Sequence, residues 1–488
     1  MPMGWITTEA FCFGTIMEIA MESSFHGVIA FALMAGMLVI GSLLRKNIPV
    51  LRNSLVPASI VGGLLGFVLL SLDLIPGFGS GDFTGLTFHF FTLSFMSLCL
   101  TSSSGDKSLS GGSIVRGGLW LTIIWTISLG IQGVLGYGVI AVYDKVTGSN
   151  ISAFLGAIIT HGFTQGPGQA LTYGNIWEQE YGIANAAQVG MIYASLGFLM
   201  AFLVGVPWAK RVIARGQNLN KKSSIDGDFL SGFYPAGNKP ETGRMVTHSA
   251  NMDSLAWHLG LLAIAYVLTH LWLLSVRDLV AGFTPWGLNL SVLFSHNMFF
   301  VHGLGVCVLM RLLVDKLGFA RHVDNDTLKR ITGSSVDFMV VGTLMSIQFA
   351  VLYALLTPIL LVTLVITLAT LFGCWWMGRL SGKLGHERSL TAFGCCCGST
   401  GTGLLLLRML DSDFSTSVAK ELAFFNLAIV LANIHVLYIF APIAPSLSPA
   451  TYLLAFGGTA LVALAVVPVL MGKLKLAVPR ATVKETIQ

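Results

Sequence analysis

The most constraining feature of this chain is an apolar segment, residues 151–174, that is interrupted at its centre by helix-breaking residues. Three glycines and one proline fall within seven residues, at positions 162, 166, 167 and 168. A glycine costs a helix interior about 1 kcal/mol relative to alanine, and a proline costs about 3 kcal/mol. Irregular backbone is tolerated inside a bilayer only where it is buried in protein or lines an aqueous cavity. The pattern therefore predicts two half-length segments that meet at a Gly-Pro-Gly tip, forming a re-entrant hairpin over residues 151–175.

A second interrupted apolar segment lies more than two hundred residues later, at residues 388–410. It carries four glycines, at positions 394, 398, 401 and 403, around Ser399, Thr400 and Thr402. Paired interruptions in corresponding halves of a membrane chain point to a transporter binding site. A glycine-rich packing seam between helices is the structural alternative. The occurrence of two such segments favours the first interpretation and predicts a second re-entrant hairpin at residues 388–410.

The composition excludes a soluble protein. Hydrophobic residues make up 54% of the 488 residues and charged residues only 10%, against about 25% charged residues in a typical soluble domain. The seven cysteines lie mainly in apolar segments, so a disulfide framework is not expected. The basic residues behind the net charge of +5 concentrate in short loops between apolar segments, so no nucleic-acid partner is predicted. The first 24 residues contain no Lys or Arg, unlike the start of a signal peptide, and the first helix is expected to remain in the mature protein.

Apolar stretches of about 20 residues, the length that crosses a bilayer, recur along the chain. Eleven crossings are predicted near residues 25–44, 54–75, 85–104, 117–143, 182–208, 254–276, 286–313, 333–353, 357–378, 417–441 and 449–471. With the N-terminus outside, the outward loops keep only Lys145 and Arg277, and all other basic loops face inward. The positive-inside rule therefore predicts an external N-terminus and a cytoplasmic C-terminus.

This layout predicts an all-α polytopic membrane protein built from two inverted repeats. Each repeat has five transmembrane helices and one re-entrant hairpin, and the hairpins enter from opposite sides of the bilayer. The predicted parts are an extracytoplasmic segment (1–24), the first repeat (25–208), a cytoplasmic linker (209–253), the second repeat (254–441) and a C-terminal region (442–488). The C-terminal region holds an extra transmembrane helix, expected to be peripheral to the bundle, and a cytoplasmic tail.

Four short blocks give the chain a family likeness. They are VPASIVGG at residues 56–63, QGPGQA at 165–170, YGIANAAQV at 181–189 and GSTGT at 398–402. In order and spacing they resemble the bacterial sodium/glutamate symporter family, which is related in architecture to the 2-hydroxycarboxylate transporters. The likeness spans roughly residues 27 to 440. It implies a homodimer in the bacterial inner (plasma) membrane, with Na⁺ coupling and alternating access.

The sequence departs from the family pattern at the tips. Pro167, Gln169 and Gln165 stand where the family has a histidine, a threonine and a glycine, and Gly401 replaces a proline. These changes fall on the expected substrate loops. The resemblance therefore carries the transport mechanism more directly than the choice of amino acid.

The tips supply the chemistry that an anionic amino acid and sodium require. Helix N-termini bind carboxylates, and unwound carbonyls and hydroxyls bind sodium. The predicted substrate-binding residues are Thr164, Gln165, Gly166, Gly168, Gln169, Ser399, Thr400, Gly401 and Thr402, with Gly398 beside them. The candidate sodium ligands are Thr101, Ser102, Thr343, Ser346 and Asp337.

Each sodium candidate has a structural alternative. The hydroxyls of Thr101, Ser102, Thr343 and Ser346 could instead bond to the preceding helical turn. Asp337, placed one turn into the eighth crossing near the cytoplasmic face, is either a cation ligand or gate, or a solvated acid at a helix start.

Three further positions beside the hairpins have both a structural and a functional interpretation. His161, beside the first tip, is either a packing histidine or a substrate contact. Arg408 either pairs with a substrate carboxylate or extends to the membrane interface. The adjacent cysteines at 395–397 are interpreted as packing residues, because no spaced Cys/His partners accompany them.

The function predicted from these features is sodium-coupled import of L-glutamate, without enzyme activity. The same fold could carry aspartate, another dicarboxylate or a 2-hydroxycarboxylate. A passive channel with two opposed re-entrant loops is a rival, but neither tip has the Asn-Pro-Ala sequence of water channels. A membrane enzyme is disfavoured because the sequence has no HExxH motif, no paired acids and no nucleotide loop.

Overall fold

The computed structural model describes residues 5–101, 112–221, 227–284 without 236, 238 and 240, 290–412 and 415–474. Throughout this described part the regular structure is helical, without a β-strand. The helices before the linker are α1 (Trp5–Asn47), α2 (Pro49–Ser54), α3 (Ala58–Ser71), α4 (Gly81–Leu100), α5 (Gly112–Thr147), α6 (Phe154–Ala157), α7 (Pro167–Tyr181) and α8 (Ala186–Ala214). A π-helical turn, His161–Gln165, lies between α6 and α7.

The second half repeats this mixture of long and short helices. A short linker helix, α9 (Gly227–Ser231), precedes it. The helices that follow are α10 (Ser254–Leu279), α11 (Phe299–Lys316), α12 (Asn325–Met345), α13 (Phe349–Ala354), α14 (Leu356–Arg379), α15 (Gly385–Cys397), α16 (Thr400–Leu410), α17 (Val418–Ala432), α18 (Ala441–Ile443) and α19 (Pro449–Leu474). A π-helical turn, His435–Phe440, connects α17 to α18.

Eight helical stretches in the described residues are long and apolar enough to cross a membrane. They coincide with eight of the eleven predicted crossings, which confirms a polytopic, all-helical membrane protein. The other three differ from a continuous span. The second crossing is only the 14-residue α3, the eighth is divided between α12 and α13, and the tenth leaves α-helical geometry after Ala432. The eighth breaks where the backbone N–H of Gln348 donates to Gln188 Oε1 (3.2 Å) on α8 instead of to a helical carbonyl.

Helices α4 and α12 form an antiparallel pair. At one end the hydroxyls of Thr87 and Ser346 are 3.4 Å apart, and at the other the hydroxyls of Ser97 and Thr332 are 2.7 Å apart. Because α12 begins at Asn325, before the predicted start of the eighth crossing, Asp337 lies about three turns into this helix.

The extra helix α19 packs along α5. A Cβ on Gly130 would lie 2.4 Å from the carbonyl oxygen of Phe456, and one on Gly133 would lie 3.0 Å from the Tyr452 hydroxyl. Tyr452 and Phe456 are fully buried. The Tyr452 ring also lies 5.5 Å from that of Phe154 on α6. The predicted packing on the bundle is therefore observed, but the buried face of α19 extends as far as the first hairpin.

The start of the linker is bound to the helical pair α15–α16, and we refer to Leu219 and Asn220 as the linker strap. The backbone N–H of Leu219 donates to Glu387 Oε1 (2.6 Å) at the start of α15. Asn220 Nδ2 donates to Asp411 Oδ1 (2.9 Å) just after α16. Two adjacent linker residues thereby hold both ends of the second helical pair.

Candidate functional site

The first tip lies between the π-helical turn and α7, at residues 165–168. Gly166 has φ +93° and ψ 179°, a conformation open essentially to glycine alone. Pro167 follows at the first position of α7, where its missing N–H and fixed φ suit a helix start. The rings of His161 and Tyr173 lie 4.5 Å apart, so the segments on either side of Gly166 run back along each other. We refer to residues 154–181 as the first hairpin.

The second tip is a break between α15 and α16. Gly398 interrupts the helix with φ −146° and ψ −83°. Ser399 caps α16, its hydroxyl accepting the N–H of Thr402 at 3.4 Å. A Cβ on Gly394 would lie 2.7 Å from the Cα of Gly403, so α15 and α16 are antiparallel and in close contact. We refer to residues 385–410 as the second hairpin.

The two tips lie against each other. A Cβ on Gly166 would lie 3.6 Å from the carbonyl oxygen of Gly398. The N-termini of α7 and α16, at Pro167 and Thr400, therefore both lie at this contact. Helix N-termini carry unpaired N–H groups and positive partial charge. The meeting point can accordingly hold an anion, whereas the carbonyls that end the preceding segments can hold a cation.

Helix α5 holds both tips from one face. Trp125 Nε1 donates to the carbonyl of Thr164 (3.0 Å) in the first hairpin. Gln132 Nε2 donates to the carbonyl of Cys396 (3.0 Å) in the second. Trp125 and Gln132 are seven residues apart, two turns on the same face of a helix. The relative position of the tips is thus fixed by a single helix.

Helix α8 packs against both hairpins through glycines. A Cβ on Gly197 would lie 2.2 Å from the carbonyl oxygen of Cys397, beside the second tip. One on Gly190 would lie 3.1 Å from Ala170 in the first hairpin. Small residues allow such close backbone approach between membrane helices. Glycines therefore line the face of α8 that packs against both tips.

The predicted residues of the first tip are buried, and two of them have unpartnered polar atoms. One end of the Gln165 amide lies 3.0 Å from His161 Nδ1. Its other end, Nε2, has no hydrogen-bond partner within the described residues, and neither has Oε1 of Gln169. Thr164 donates its hydroxyl to the carbonyl of Thr160. An unpaired buried polar group costs about 1–3 kcal/mol, so Gln165 and Gln169 present atoms that require a ligand or water.

Gly168 has a packing role that the sequence did not indicate. A Cβ at this position would lie 1.9 Å from Cγ of Phe91 on α4. The absence of a side chain is therefore needed for the contact between α4 and the first tip, whatever else the backbone of Gly168 binds.

The second tip is more open than the first. Ser399, Thr400 and Gly401 are half-buried, and Thr402 is buried. The Thr400 hydroxyl donates to Asn426 Oδ1 on α17 at 2.7 Å. A Cβ on Gly401 would lie 3.8 Å from a methyl of Val336, which places the neighbouring Asp337 near this tip.

The predicted sodium ligands do not form one group. Ser102 lies outside the described residues. Thr343 donates to the carbonyl of Met339 (2.6 Å), and Ser346 donates to that of Gly342 (2.6 Å). Thr101, which directly follows α4, lies fourteen residues beyond the Thr87 that contacts Ser346, a distance of about 20 Å along a helix. Its hydroxyl donates to the carbonyl of Leu98 (2.5 Å). The three described hydroxyls therefore follow their structural alternative, although their oxygen lone pairs remain available to a cation.

Asp337 lies at the surface of the protein midway along α12 and interacts with the hydroxyl of Ser59 on α3. An accessible carboxylate at this depth remains compatible with a cation ligand or gate.

His161 faces an aromatic group and not the second hairpin. The centroids of the Tyr173, Trp177 and Phe456 rings lie 4.5, 5.8 and 6.1 Å from that of its imidazole.

One buried ion pair was missed from the sequence. Arg388, at the base of the second hairpin, bonds Glu421 of α17 through two contacts, Nε–Oε2 at 2.8 Å and Nη2–Oε1 at 2.7 Å. Both side chains are buried. Arg388 resembled an ordinary basic residue of an inward loop. The available signal was Glu421, an acid within the apolar tenth crossing.

The family comparison covers both tips. A model of the family described as sodium/glutamate symporter matches residues 24–405. The sodium/glutamate symporters of Escherichia coli strain K12 and of Shigella flexneri are each 24% identical to the chain over 418 residues. That alignment covers 83% of this chain and 95% of each relative. The chain therefore belongs to the sodium/glutamate symporter family, a family of membrane transporters and not of enzymes.

Proposed function

We propose that the protein imports L-glutamate, or a closely related acidic compound, by sodium-coupled symport, and that the substrate binds between the two hairpin tips. The observation that carries the proposal is the pair of unpartnered amide atoms, Nε2 of Gln165 and Oε1 of Gln169, beside the contact of Gly166 with Gly398. It is supported by the family to which the chain belongs and by the names of the relatives.

The chemistry of the tips suits an acidic amino acid. The N-termini of α7 and α16 favour carboxylates through their N–H groups and positive partial charge. The Gln165 amide can add a donor to a carboxylate, and the Gln169 carbonyl can accept from an ammonium group. The amides are neutral, so they orient the substrate while the helix ends compensate its negative charge.

Sodium coupling also makes energetic sense. Glutamate enters with a net charge of −1, which a negative-inside membrane opposes. One sodium ion makes the step electroneutral, and a second adds about 2.3 kcal/mol per 100 mV of membrane potential. The candidate sodium oxygens of Thr101, Ser102, Thr343, Ser346 and Asp337 remain part of the proposal.

The proposed architecture is two inverted repeats, 25–208 and 254–441, with re-entrant hairpins that open to opposite sides. Similar contacts at the hairpin bases support it. A Cβ on Gly136 of α5 would lie 2.2 Å from the carbonyl oxygen of Gly156 at the base of the first hairpin. One on Gly385 would lie 2.6 Å from that of Gly378 on α14, at the base of the second. We further propose a homodimer in the bacterial inner membrane that works by alternating access.

Uptake of labelled L-glutamate into proteoliposomes tests the function. Accumulation is expected with an inward sodium gradient and not with potassium in its place. Gln169→Leu should reduce uptake strongly. Gln179→Leu, an exposed position on the same helix, should leave it unchanged and serves as the matched control. Sodium-driven accumulation of aspartate, another dicarboxylate or a 2-hydroxy acid instead of glutamate would identify that compound as the substrate. Rapid flux without any ion gradient would favour a channel.

Single cysteines in a cysteine-free protein test the orientation. Asn150 and Lys383 are exposed and lie at the bases of the first and second hairpins. A membrane-impermeant maleimide should label Asn150→Cys from outside and Lys383→Cys from inside. Labelling of both from the same side would rule out opposed hairpins.

A further inference from the structure

A buried group of polar atoms lies beside the second tip, between α5, α14 and α15. At its centre is Gln132 of α5, which is 1% exposed. Its Nε2 lies 3.0 Å from Ser128 Oγ, 2.9 Å from Thr370 Oγ1 and 3.0 Å from the carbonyl oxygen of Cys396. Among the described residues, no group forms a hydrogen bond with its Oε1.

The orientation of the Gln132 amide follows from its neighbours. The oxygen and nitrogen ends of an amide are distinguished by their hydrogen bonds. The carbonyl of Cys396 can only accept, so the end of Gln132 that faces it must be the NH₂ group. The carbonyl oxygen of Gln132 therefore points elsewhere, buried and unsatisfied.

Helix α14 contributes a row of threonines to the same region. Thr363, Thr367 and Thr370 are spaced four and three residues apart, so they share one face of the helix, and all three are buried. The hydroxyls of Thr363 and Thr367 have no hydrogen-bond partner in the part of the chain that the structure describes. In contrast, Thr122 and Thr343, which are also buried in long helices, donate to the carbonyl four residues earlier. The unpartnered threonines thus depart from the usual arrangement.

The register of α14 places Thr367 level with the second tip. The Ser389 hydroxyl fills the space beside Gly378, near the end of the antiparallel α14–α15 pair that lies away from the tip. Eight residues earlier on α14, Thr370 is joined through Gln132 to Cys396. One further turn brings α14 to Thr367, level with Ser399 and just past the end of α15 at Cys397.

We propose that Gln132 Oε1, Thr367 Oγ1 and Thr370 Oγ1 are ligands of a bound sodium ion beside the second tip. All three are hard, neutral oxygens of the type that coordinates sodium in transporters. Divalent cations usually take carboxylate ligands, and the described residues contain no cluster of three or more His, Cys, Asp or Glu that could hold a metal. The inference rests on the proposed function, since it gives the coupling ion a place next to the proposed substrate.

The same amide links the ion to the tip. Sodium on Gln132 Oε1 would withdraw electron density from the amide and strengthen its N–H donation to the Cys396 carbonyl. Cation binding would therefore fix the second tip before the substrate arrives. This site differs from the sodium candidates on α4 and α12, which lie outside the α5–α14–α15 interface.

The test is thermal unfolding of the purified protein, without substrate, in increasing sodium chloride balanced by choline chloride. The wild type is expected to show a saturable, sodium-specific rise in Tm. Gln132→Met and Thr367→Val, which remove the proposed oxygens at similar volume, should each raise the sodium midpoint about tenfold, equivalent to about 1.4 kcal/mol. Thr367→Ser keeps the hydroxyl and should retain a midpoint near that of the wild type.

Thr122→Val is the matched control, because it removes a buried threonine hydroxyl from α5 that already has a partner. Its sodium midpoint should not change. Wild-type midpoints in both Gln132→Met and Thr367→Val would overturn this site, with water and not sodium as the partner of these oxygens. If sodium-driven uptake by the wild type persisted, the proposed function would stand without it. Absence of that uptake would count against the proposed function separately.

Discussion

Gly166 of the first hairpin lies against Gly398 of the second, so that a Cβ on Gly166 would be 3.6 Å from the Gly398 carbonyl oxygen. The contact joins two positions separated by more than two hundred residues. It brings together the two breaks in helical geometry at which the hairpins reverse direction, Gly166 in the first and Gly398 with Ser399 in the second. Backbone conformation at either glycine therefore controls the space between the tips.

Gly166→Ala is expected to abolish uptake while the protein remains inserted. Its φ of +93° with ψ 179° is a region essentially closed to other residues, with a cost of about 1–3 kcal/mol. The added methyl would also occupy the space before Gly398. Initial rates of sodium-driven uptake in proteoliposomes measure the effect.

Gly182→Ala is the control for this variant. Gly182 also has a positive φ, +66° with ψ 24°, but a Cβ there would meet nothing within 4 Å. It should lower Tm modestly and retain transport. Similar uptake by the two alanine variants would show that the tip does not need the Gly166 conformation.

The positions of both tips could be predicted from the sequence, because helix breaking by glycine and proline is a local property. Gly166 and Gly398 lie where that pattern placed the turns. The contacts that hold them could not be predicted in the same way. Phe91, which demands a glycine at position 168, comes from a distant helix, and nothing local marks that pairing.

The polar network around the second tip was missed for a similar reason. Gln132 is a single amide in a long apolar helix. Its hydrogen bonds go to Cys396 and Thr370, both more than 230 residues away. The threonines of α14 have helical spacing that is visible in the sequence. Their lack of hydrogen-bond partners is visible only in the structure.

The buried pair of Arg388 and Glu421 should dominate the stability of the base of the second hairpin. Glu421→Gln leaves the Arg388 charge buried without its partner, and breaking such a pair typically costs about 3–5 kcal/mol. A large fall in Tm is expected in detergent-solubilised protein. The double variant Arg388→Met with Glu421→Leu should be more stable than either single variant, because no buried charge remains. Tm values for the single variants equal to that of the wild type would contradict the prediction.

Phe456→Ala should weaken substrate binding, although Phe456 lies on α19, outside residues 24–405 that match the family model. The ring centroids of Phe456 and His161 lie 6.1 Å apart. His161 Nδ1 in turn lies 3.0 Å from Gln165 Oε1. Removing the ring frees His161 to move and with it the Gln165 amide. We expect a higher KM for uptake, together with a lower Tm.

Leu461→Ala, at an exposed position on the same helix, is the control and should change neither quantity. Phe456→Leu should restore Tm more fully than KM, because it fills volume without an aromatic face against His161. A KM for Phe456→Ala equal to that of the wild type would show that α19 contributes stability alone.

Asp411 is expected to make the stability of the linker strap depend on pH. Burial opposes the charge of Asp411, but hydrogen bonds from Thr416, Asn220 and Ser415 outweigh it and lower the pKa of the carboxyl below its ordinary value. A lowered pKa stabilises the folded protein above the ordinary pKa, about 3.9, and the contribution is lost as pH falls through the lowered value. Glu387, the other acid at this base, accepts the N–H of Leu219, and burial raises the pKa of its carboxyl.

Asp411→Asn should therefore lower Tm near pH 7, where the wild-type carboxylate accepts all these bonds. The difference from the wild type should shrink as pH falls below about 4, because the carboxyl is protonated first in the unfolded chain and then, below its lowered pKa, in the folded protein. Asp326→Asn is the control: this exposed acid pairs only with Lys329 at 3.0 Å, and exposed pairs contribute about 0–1 kcal/mol. A Tm difference between wild type and Asp411→Asn that stayed constant from pH 7 to pH 3 would mean that Asp411 holds the strap without its charge.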